Sequence, residues 1–421
     1  MATVRRSQPQ GLAALLAAAV SGGFLASAGL WSAPPAEATC LSAFGIGNSA
    51  SCSSTLFGVA FALGQGAEAH ADGFFGASFA IGNGASATTT DSFTLASAVG
   101  ESSSAAAHGF LGLGLSIGGN ANTVVAGGSG SVLTLASNWF GNDNDVTVQA
   151  GGLWNRAGNY GGTGNVITTQ GSRFNHSRSI FGNNNEVSTT GGYGNAAQNA
   201  FGSGNQVIQT GGTGNLAKNF FGNDNPVTIT GGYANFARNR FGDTNELTIV
   251  GGNRNLASNI VGTGNQVNVS GGLFNRARNA GGSDNQLSAG GANSRFNFVY
   301  NVGGGGNDVS AGGPGSFNAG FNVLGSDNTV KAGPGPFALA GTVFQDGRTV
   351  TKSGPGIAIN NIRIGGNLTV RQRGDAEKTA QANTDKRRGS PRPRGWERSI
   401  ATRRDGLGGA RHPATRGSDS T

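Results

Sequence analysis

Apolar and polar residues alternate along the middle of the chain in units of twenty, so that "GGTGNLAKNFFGNDNPVTIT" from residue 211 aligns with "GGYANFARNRFGDTNELTIV" from residue 231. When each unit is numbered from its glycine pair, Asn recurs at positions 5, 9 and 15, Ala at 7, Phe at 11 and an aliphatic residue at 17. These constrained positions are all odd, which is the period of a β-strand. Glycine-rich breaks near positions 1 and 12 divide each unit into two short strands.

A single unit of this kind cannot bury its own inward side chains, whereas stacked units cover one another. The repeat therefore predicts an all-β chain that coils as a β-solenoid, a parallel β-helix or β-roll, with one unit per turn. The 18-residue coils come first and the 20-residue coils follow. Ala, Phe and Val at positions 7, 11 and 17 are expected to fill a narrow core.

Inward asparagines need partners, because an amide that is buried without hydrogen bonds costs free energy. Stacked coils lie about 4.8 Å apart, so each amide can bond the Asn of the neighbouring coil and the backbone at the corner. Glycine beside Asn permits the positive φ of a tight corner. The predicted ladders run through position 5 at Asn155, Asn175, Asn195, Asn215, Asn235, Asn255 and Asn275, and through position 15 at Asn165, Asn185, Asn205, Asn225, Asn245, Asn265 and Asn285.

Shorter coils precede the twenty-residue units, because Leu63-Gly64, Ile81-Gly82, Val99-Gly100 and Ile117-Gly118 recur with an 18-residue period. About fourteen coils at about 4.8 Å each predict a rod of about 65 to 70 Å, whose open edges need caps. The predicted organisation is a signal peptide at 1–38, an N-terminal cap at 39–56, 18-residue coils at 57–130, 20-residue Asn/Gly coils at 131–336, a C-terminal cap at 337–370 and a disordered basic tail at 371–421.

The first residues have the features of an export signal. Arg5 and Arg6 precede an apolar run from residue 11 to residue 30, and Ala36-Glu37-Ala38 offers a small-x-small cleavage site. We favour a cleaved secretory signal peptide over an uncleaved membrane anchor, although the run is almost long enough to span a bilayer. The mature chain is then expected to be secreted or on the cell surface, with no transmembrane span.

Cys40 and Cys52 are the two cysteines of the chain, and both follow the predicted cleavage site. In an exported protein they lie in an oxidising compartment, where a disulfide persists. A disulfide that staples the first turn of the solenoid is the favoured interpretation. Two cysteines alone do not make a credible metal site.

The net charge of +8 does not indicate a nucleic-acid-binding protein, because it is concentrated in one segment. Residues 371–421 contain 13 Lys and Arg against 6 Asp and Glu, so this tail carries +7. The repeat region is close to neutral. The tail lacks apolar periodicity and is expected to be disordered. A polybasic arm for anionic surfaces is one interpretation of it, and unselected sequence is the other.

Three families resemble parts of the chain. The segment "FAIGNGASATTTDSFTLASAVGESSSA" resembles the β-roll heads of trimeric autotransporter adhesins over residues 57–118. Units such as "GGTGNLAKN" and "GGYGNAAQN" are similar to curlin-type repeats, although a second Asn replaces the Ser and Gln of curlins. The Gly and Asn content behind a signal peptide is similar to secreted mycobacterial Asn/Gly-rich repeat proteins. These resemblances together imply an extracellular or surface solenoid for adhesion or assembly.

Catalytic and metal-binding motifs are weak. Calcium-binding repeats of similar length carry Asp at each corner, whereas position 15 is Asn throughout, and a hard cation prefers carboxylates. No acid pair recurs on neighbouring coils, the four His residues are scattered, and no serine sits in a nucleophile-elbow motif. We therefore expect neither an enzyme nor a cofactor.

Two outward features are candidates for binding. Position 8 carries Arg178, Lys218, Arg238 and Arg278, which is either a basic stripe for anionic cell-wall polymer or a set of solvated charges that discourages association. Aromatic residues at positions 3 and 4 are either a sugar- or protein-binding row or covers for the corners. This second set comprises Trp154, Phe174, Tyr193, Tyr233 and Phe274.

The export signal and the repeats favour a non-enzymatic β-solenoid that acts as a structural or adhesive module outside the cell. Its expected partners are cell-wall polymer, a surface protein of a host or neighbouring cell, or another copy of the chain. The alternative is a self-assembling subunit of an amyloid-like, curlin-type fibre, because identical coils stack. Well-formed caps would argue against this alternative.

Overall fold

Thirty-five β-strands form two long sheets in the computed structural model, which describes residues 39–372. The chain alternates between the sheets, so that each coil adds one strand to each of them. No helix occurs among the described residues. The predicted all-β solenoid is confirmed, while the predictions for the signal peptide at 1–38 and for the tail from residue 373 onward lie outside this range.

Sheet A contains the strands that hold positions 6 to 9 of each repeat. Its strands are β1 (Thr39–Ala43), β3 (Val59–Leu63), β5 (Ala77–Ile81), β7 (Leu95–Val99), β9 (Leu113–Ile117), β11 (Leu135–Asn138), β13 (Arg156–Asn159), β15 (His176–Ser179), β17 (Ala196–Asn199), β19 (Leu216–Asn219), β21 (Phe236–Asn239), β23 (Leu256–Asn259), β25 (Arg276–Asn279), β27 (Phe298–Val302), β29 (Ala319–Val323), β31 (Ala338–Val343), β33 (Gly356–Ile359) and β34 (Ile362–Ile364).

Sheet B contains the strands that hold positions 16 to 20. Its strands are β2 (Cys52–Ser54), β4 (Glu68–Ala71), β6 (Ser86–Thr89), β8 (Ser104–Ala107), β10 (Thr123–Ala126), β12 (Asp145–Val148), β14 (Val166–Gln170), β16 (Glu186–Thr190), β18 (Gln206–Thr210), β20 (Pro226–Thr230), β22 (Glu246–Val250), β24 (Gln266–Ser270), β26 (Gln286–Gly290), β28 (Asp308–Gly312), β30 (Thr329–Ala332), β32 (Arg348–Lys352) and β35 (Leu368–Gln372).

Neighbouring coils pair in parallel and in constant register. Val59 pairs with Ala77 across an 18-residue coil, and Arg156 pairs with His176 across a 20-residue coil. A longer, 22-residue coil separates Leu113 from its partner Leu135. The regular register keeps each side chain above its counterpart in the preceding coil, so one residue type fills one column along the rod.

The core lies between the two sheets and changes along the rod. The 18-residue coils bury alanines, such as Ala60 and Ala87, in one apolar cluster. The longer coils bury Ala on sheet A and larger aliphatic side chains, such as Val207 and Leu247, on sheet B. Coil length and core volume therefore increase together, and each buried Val or Leu contributes about 1.5 to 3 kcal/mol.

The prediction that the position-11 phenylalanines fill the core is wrong. Phe181 and Phe241 expose 54% and 46% of their surface, and Phe201 and Phe221 are also exposed. The alternation of inward and outward side chains holds only within a strand. Sheet A strands such as β15 end at position 9, and the chain then turns, so position 11 points outward although its number is odd.

Antiparallel strands cover the ends of the rod. At the first coil, β1 pairs with β3, and the Cys40–Cys52 disulfide joins β1 to β2. The free edge of β2 is bonded by the preceding turn, because Ser54 N–H donates to Asn48 Oδ1 and Cys52 N–H donates to Ser49 Oγ. At the last coil, β34 folds back on β33 and β35 on β32.

A buried lysine holds the second cap together. The side chain of Lys352 is fully buried on the inner face of β32. Its ammonium donates to the carbonyls of Ser353, Gly354 and Gly366 at 3.0, 3.2 and 2.6 Å. These hydrogen bonds join the turn after β32 to the turn before β35. The strand β35 includes residues 371 and 372, which the sequence assigns to the disordered tail.

Candidate functional site

The position-15 asparagines form a continuous internal ladder, as predicted. Asn185 donates from its backbone N–H and from its Nδ2 to the side-chain oxygen of Asn165, both at 3.0 Å. Asn205 repeats this towards Asn185 and also donates to the carbonyl of Gly222 in the next coil at 2.8 Å. Each amide is thus bonded on both sides of its own coil, which stabilises the stack and leaves no polar group for a ligand.

The position-5 asparagines form a second ladder at the opposite corner. The backbone N–H of Asn235 donates to Asn215 Oδ1 at 2.9 Å, and Asn235 Nδ2 donates to the carbonyls of Gly251 and Gly252. The backbone-to-amide bonds recur from Asn155 to Asn318. Both predicted sets of asparagines are therefore structural elements of the corners.

A third ladder runs through position 9 and is broken once. Asn219 Nδ2 donates to Asn199 Oδ1 at 2.9 Å, and the pattern continues to Asn322. At residue 179 the chain has Ser, whose hydroxyl is too short to continue the ladder. Ser179 Oγ and Asn199 Nδ2 are both buried without a hydrogen-bond partner. This break is a local defect in an otherwise regular interior.

Stacked glycines at position 12 keep the coils close at the corner that also holds the position-15 ladder. A Cβ added to Gly222 would lie 2.1 Å from the carbonyl oxygen of Gly242 in the next coil, and the φ of Gly222 is 119°. Both the close approach and the backbone conformation exclude other residues. The constant Gly at this position is therefore required by the stacking itself.

The outer surface of sheet A carries apolar side chains along the whole rod, and we call it the apolar face. It consists of the outward side chains of positions 6, 8 and 10 and their equivalents in the shorter coils. Among these are Val59, Phe61, Leu63, Phe79, Ile81, Leu95, Leu113, Leu115, Ile117, Leu135, Trp139, Tyr160, Ile180, Leu216, Phe220, Phe236, Leu256, Ile260, Phe298, Tyr300, Phe321, Val323 and Leu339. Most are half-buried by their neighbours on the same surface, and nothing in residues 39–372 covers them.

The four predicted position-8 cations lie in the centre of the apolar face. Arg178 stacks 4.5 Å from the ring centroid of Tyr160, and Lys218 lies 5.0 Å from that of Phe220. Arg238 and Arg278 lie 5.5 Å from the rings of Phe236 and Tyr300. These cations therefore rest on aromatic side chains of the same face rather than extending freely into solvent.

The charges of the two outer surfaces have opposite sign. The apolar face carries seven cations, namely Arg156, Arg178, Lys218, Arg238, Arg240, Arg276 and Arg278, and none of its positions is Asp or Glu. None of these cations forms an ion pair with another described residue. The outer surface of sheet B is mostly polar and carries Lys331 and Arg371 together with Glu68, Asp72, Asp145, Glu186, Glu246 and Asp308.

Burial, reinforced by neighbouring cations, lowers the pKa of two groups on the apolar face. Burial lowers the pKa of His176 to about 4, and the positive charges of Arg156 and Arg178 add to this effect. Burial also lowers the pKa of Arg238, with Arg240 and Arg278 as further causes. His176 is therefore neutral at neutral pH, and the face holds positive charge without compensation.

An aromatic corner borders the apolar face at position 4 and lies in a left-handed backbone conformation. Trp154 and Phe174 have φ of 61° and 57° and expose 55% and 47% of their surface. Gly194 and Gly214 occupy the same column, so the conformation itself suits glycine. The other large side chains in this column are Phe75, Phe93, Leu111, Leu133, Arg254, Phe274, Phe296, Phe317 and Phe337.

The predicted aromatic row is divided into two groups. Ring centroids of Trp154 and Phe174 are 6.2 Å apart, and those of Phe174 and Tyr193 are 5.6 Å apart. Tyr233 is separated from Tyr193 by Thr213 in the same column. Phe274 instead begins a second group of stacked rings with Phe296, Phe317 and Phe337, whose centroids are 5.0 to 5.3 Å apart.

A hydroxyl–imidazole contact on sheet B does not form a relay. Ser53 Oγ lies 2.9 Å from His70 Nδ1, but Asp72 accepts a hydrogen bond from the same hydroxyl at 3.2 Å. No carboxylate therefore orients the imidazole, as a serine–histidine–acid arrangement requires. A surface depression of about 280 Å³ near Asp91 and Phe110 contains no histidine. Within residues 39–372 no three His, Cys, Asp or Glu side chains cluster as metal ligands.

Comparisons with known proteins find no match to a family model, to a curated protein or to a solved structure. The three resemblances drawn from the repeats therefore remain predictions. In the described part of the chain, no helix combines the length and apolar character needed to cross a membrane.

Proposed function

We propose that this protein is a non-enzymatic structural and adhesive rod that acts outside the cell. The observation that carries the proposal is the aromatic corner at position 4. A large side chain in the left-handed conformation costs about 1 to 2 kcal/mol, and glycine avoids this cost. The chain nevertheless places Phe, Trp or Leu there in the coils before residue 190 and again from Phe274 onward.

Folding alone does not account for these residues, because the coils that carry Gly194 and Gly214 have the same corner geometry. Strained backbone positions that persist at a surface often serve recognition. Aromatic rings provide large, rigid contact areas for sugars and proteins. Cell-wall polymer and surface proteins of neighbouring or host cells are thus the proposed partners, and the predicted export signal supports an extracellular location.

The capped ends favour a discrete rod over the fibre alternative. Growth of an amyloid-like fibre requires an unpaired strand edge at each end. Here β1 covers sheet A at one end, and β34 and β35 cover both sheets at the other. Sedimentation velocity of the mature chain at increasing concentration is expected to give one elongated species of constant size, whereas very large species would support the fibre.

Glycine substitution separates adhesion from folding. Trp154→Gly and Phe174→Gly, made together, are expected to keep or raise the free energy of unfolding, because each relieves a left-handed large residue. Binding of the purified chain to intact cells and to isolated cell wall of the producing organism is expected to fall. Val166→Thr with Val250→Thr on sheet B serves as the control and is expected to leave binding unchanged. Equal binding by both pairs would contradict the adhesive role of the corner.

A further inference from the structure

The apolar face is large enough to be a binding surface. Sixteen parallel strands of sheet A, about 4.8 Å apart, give it a length of about 70 Å, and a five-residue strand gives it a width of about 16 Å. The outline of about 1,100 Å² includes the seven cations, and the uncharged stretch from Val59 to Trp139, about 400 Å², is by itself as large as the largest apolar patch of a typical monomer. Such a surface points to an occupant of matching size.

The occupant must also match the charge of the face. Seven cations lie among the apolar side chains without a described acidic partner, while the acidic residues of the strands all lie on sheet B. Unpaired cations within an apolar surface call for anionic groups on the surface that covers them.

A second copy of the chain is large enough to cover the apolar face but does not match its charge. The face exceeds the roughly 800 Å² that each partner buries in a standard interface. Face-to-face pairing over the whole rod, however, sets position-8 cations against one another, and like charges in an interface are strongly unfavourable. Pairing through one uncharged stretch alone, either the five coils from Val59 to Trp139 or the four from Phe298 to Ile359, covers at most about 24 Å of length, or about 400 Å², which is about half of that requirement.

A lipid surface meets both conditions. The headgroup region of a bilayer accommodates aromatic side chains, particularly Trp and Tyr, and its apolar boundary accepts aliphatic ones. Anionic phosphates supply acceptors for Arg and Lys, whose side chains extend their charges from an apolar surface. A sheet surface of this composition can therefore lie in the interface without crossing the membrane.

We propose that the apolar face of this rod docks on the surface of an anionic lipid leaflet. Its aliphatic and aromatic columns enter the headgroup region, and the position-8 cations contact lipid phosphates. The polar surface of sheet B then faces the aqueous side. The proposal depends on the described surface alone and not on export, so its failure would leave the proposed extracellular role untouched.

Native tryptophans report this docking. Trp139 lies on the apolar face and Trp154 on the bordering corner, so both should approach the acyl chains. The mature full-length chain carrying Trp396→Phe, which removes the tail tryptophan, is mixed with vesicles of phosphatidylcholine and phosphatidylglycerol. We expect a blue shift of the emission and quenching by brominated acyl chains, and much weaker partitioning into phosphatidylcholine alone.

Two variants with a matched control test which surface binds. Each cation near an anionic surface changes partitioning by about fivefold, so Arg178→Gln, Lys218→Gln, Arg238→Gln and Arg278→Gln together should weaken it at least about a hundredfold. Phe61→Thr with Phe79→Thr removes apolar area from the same face and should weaken it more than tenfold, at about 25 cal/mol per Å² lost. Circular dichroism and thermal melting verify that each variant is folded.

The control is Glu186→Gln with Glu246→Gln on sheet B, which raises the net charge without touching the apolar face. Unchanged partitioning of the control supports docking through the face. Stronger partitioning of the control in proportion to net charge would overturn the proposal in favour of unspecific attraction, including that of the basic tail. Absent tryptophan quenching in the parent chain, or concentration-dependent dimers that the face variants abolish, would overturn it as well.

Discussion

The side-chain oxygen of Asn205 accepts the backbone N–H of Asn225, 3.0 Å away and one coil further along the rod. Asn225 offers its own side-chain oxygen to Asn245 at 2.9 Å, and so on through the repeat. A buried backbone donor at each corner is thus satisfied by a side chain of the preceding coil. The stability of every coil consequently depends on the identity of one residue in its neighbour.

Removing one member of this ladder should be costly. Asn225→Ala leaves the N–H and the Nδ2 of Asn245 without their shared acceptor, and each buried unsatisfied donor costs about 1 to 3 kcal/mol. We expect a loss of about 3 kcal/mol in the free energy of unfolding by urea. Asn253→Ala, at an exposed position 3, deletes the same atoms and should cost less than about 0.5 kcal/mol. Similar losses for the two variants would contradict the ladder's role.

Repairing the broken ladder should stabilise the rod. Ser179→Asn extends an amide to the position where Asn199 Nδ2 lacks an acceptor, and it can itself donate to Asn159. Two new buried hydrogen bonds should raise the free energy of unfolding by about 1 to 3 kcal/mol. Ser188→Asn on the outer surface of sheet B is the control. A destabilised S179N variant would show that the coil cannot accommodate the larger side chain.

Stability should depend on pH through His176. Its pKa is lowered from 6.5 to about 4 in the folded chain, so the unfolded chain binds more protons between these values. Stability is therefore full above about pH 6.5 and falls as the pH decreases to about 4, by at most about 3 kcal/mol. Urea unfolding of the parent chain and of His176→Gln across this range checks the effect. Parallel pH profiles of the two would exclude His176 as the cause.

The second cap should depend on the buried ammonium of Lys352. Lys352→Met keeps the length of the side chain but removes the donor to three carbonyls, each worth about 1.5 to 3 kcal/mol when bonded to a charge. We expect residues 353–372 to detach before the rest unfolds, which limited proteolysis and amide exchange would detect. Lys331→Met, on the exposed surface of β30 next to β32, should leave the amide-exchange protection of residues 353–372 unchanged. If the two variants exchange equally, the cap does not rely on Lys352.

The disulfide should stabilise the first cap. Its cysteines are separated by 12 positions in the sequence, and closing a loop of that length corresponds to about 3 kcal/mol. Reduction, or Cys40→Ser with Cys52→Ser, should lower the stability of β1 and β2 and expose the edge of the first coil. Amide exchange in residues 39–63 is the direct measurement, with the central coils as the internal reference. Unchanged protection of β1 after reduction would contradict the prediction.

The ladders were predictable because stacking repeats the same chemical requirement in every coil. Asn at positions 5 and 15, and the 18- and 20-residue coils, follow from spacing alone, whereas the 22-residue coil between Leu113 and Leu135 does not. Phe181 and Phe221 were misplaced because the alternation of strand side chains stops at the turn after position 9. Periodicity carries no information on how the backbone rotates through a turn.

The apolar face was not predictable in the same way, because positions 6 and 8 do not repeat one residue. His176, Ala196, Leu216 and Phe236 occupy one column and share little except the absence of a carboxylate. The signal lay in the chemical class rather than the identity of the residues. Only pairing of the strands shows that these dissimilar side chains form one continuous surface with the cations at its centre.

The constant register of the central repeat makes the length of this molecule adjustable. Any central coil bonds to its neighbours as Asn205 bonds to Asn225. When one unit is gained or lost, the flanking coils can therefore still form the same hydrogen bonds with each other. Unequal recombination within the repeat would lengthen or shorten the rod in steps of about 4.8 Å without altering its cross-section. The number of central repeats thus sets the length of the rod, which can change while both caps and both outer surfaces stay the same.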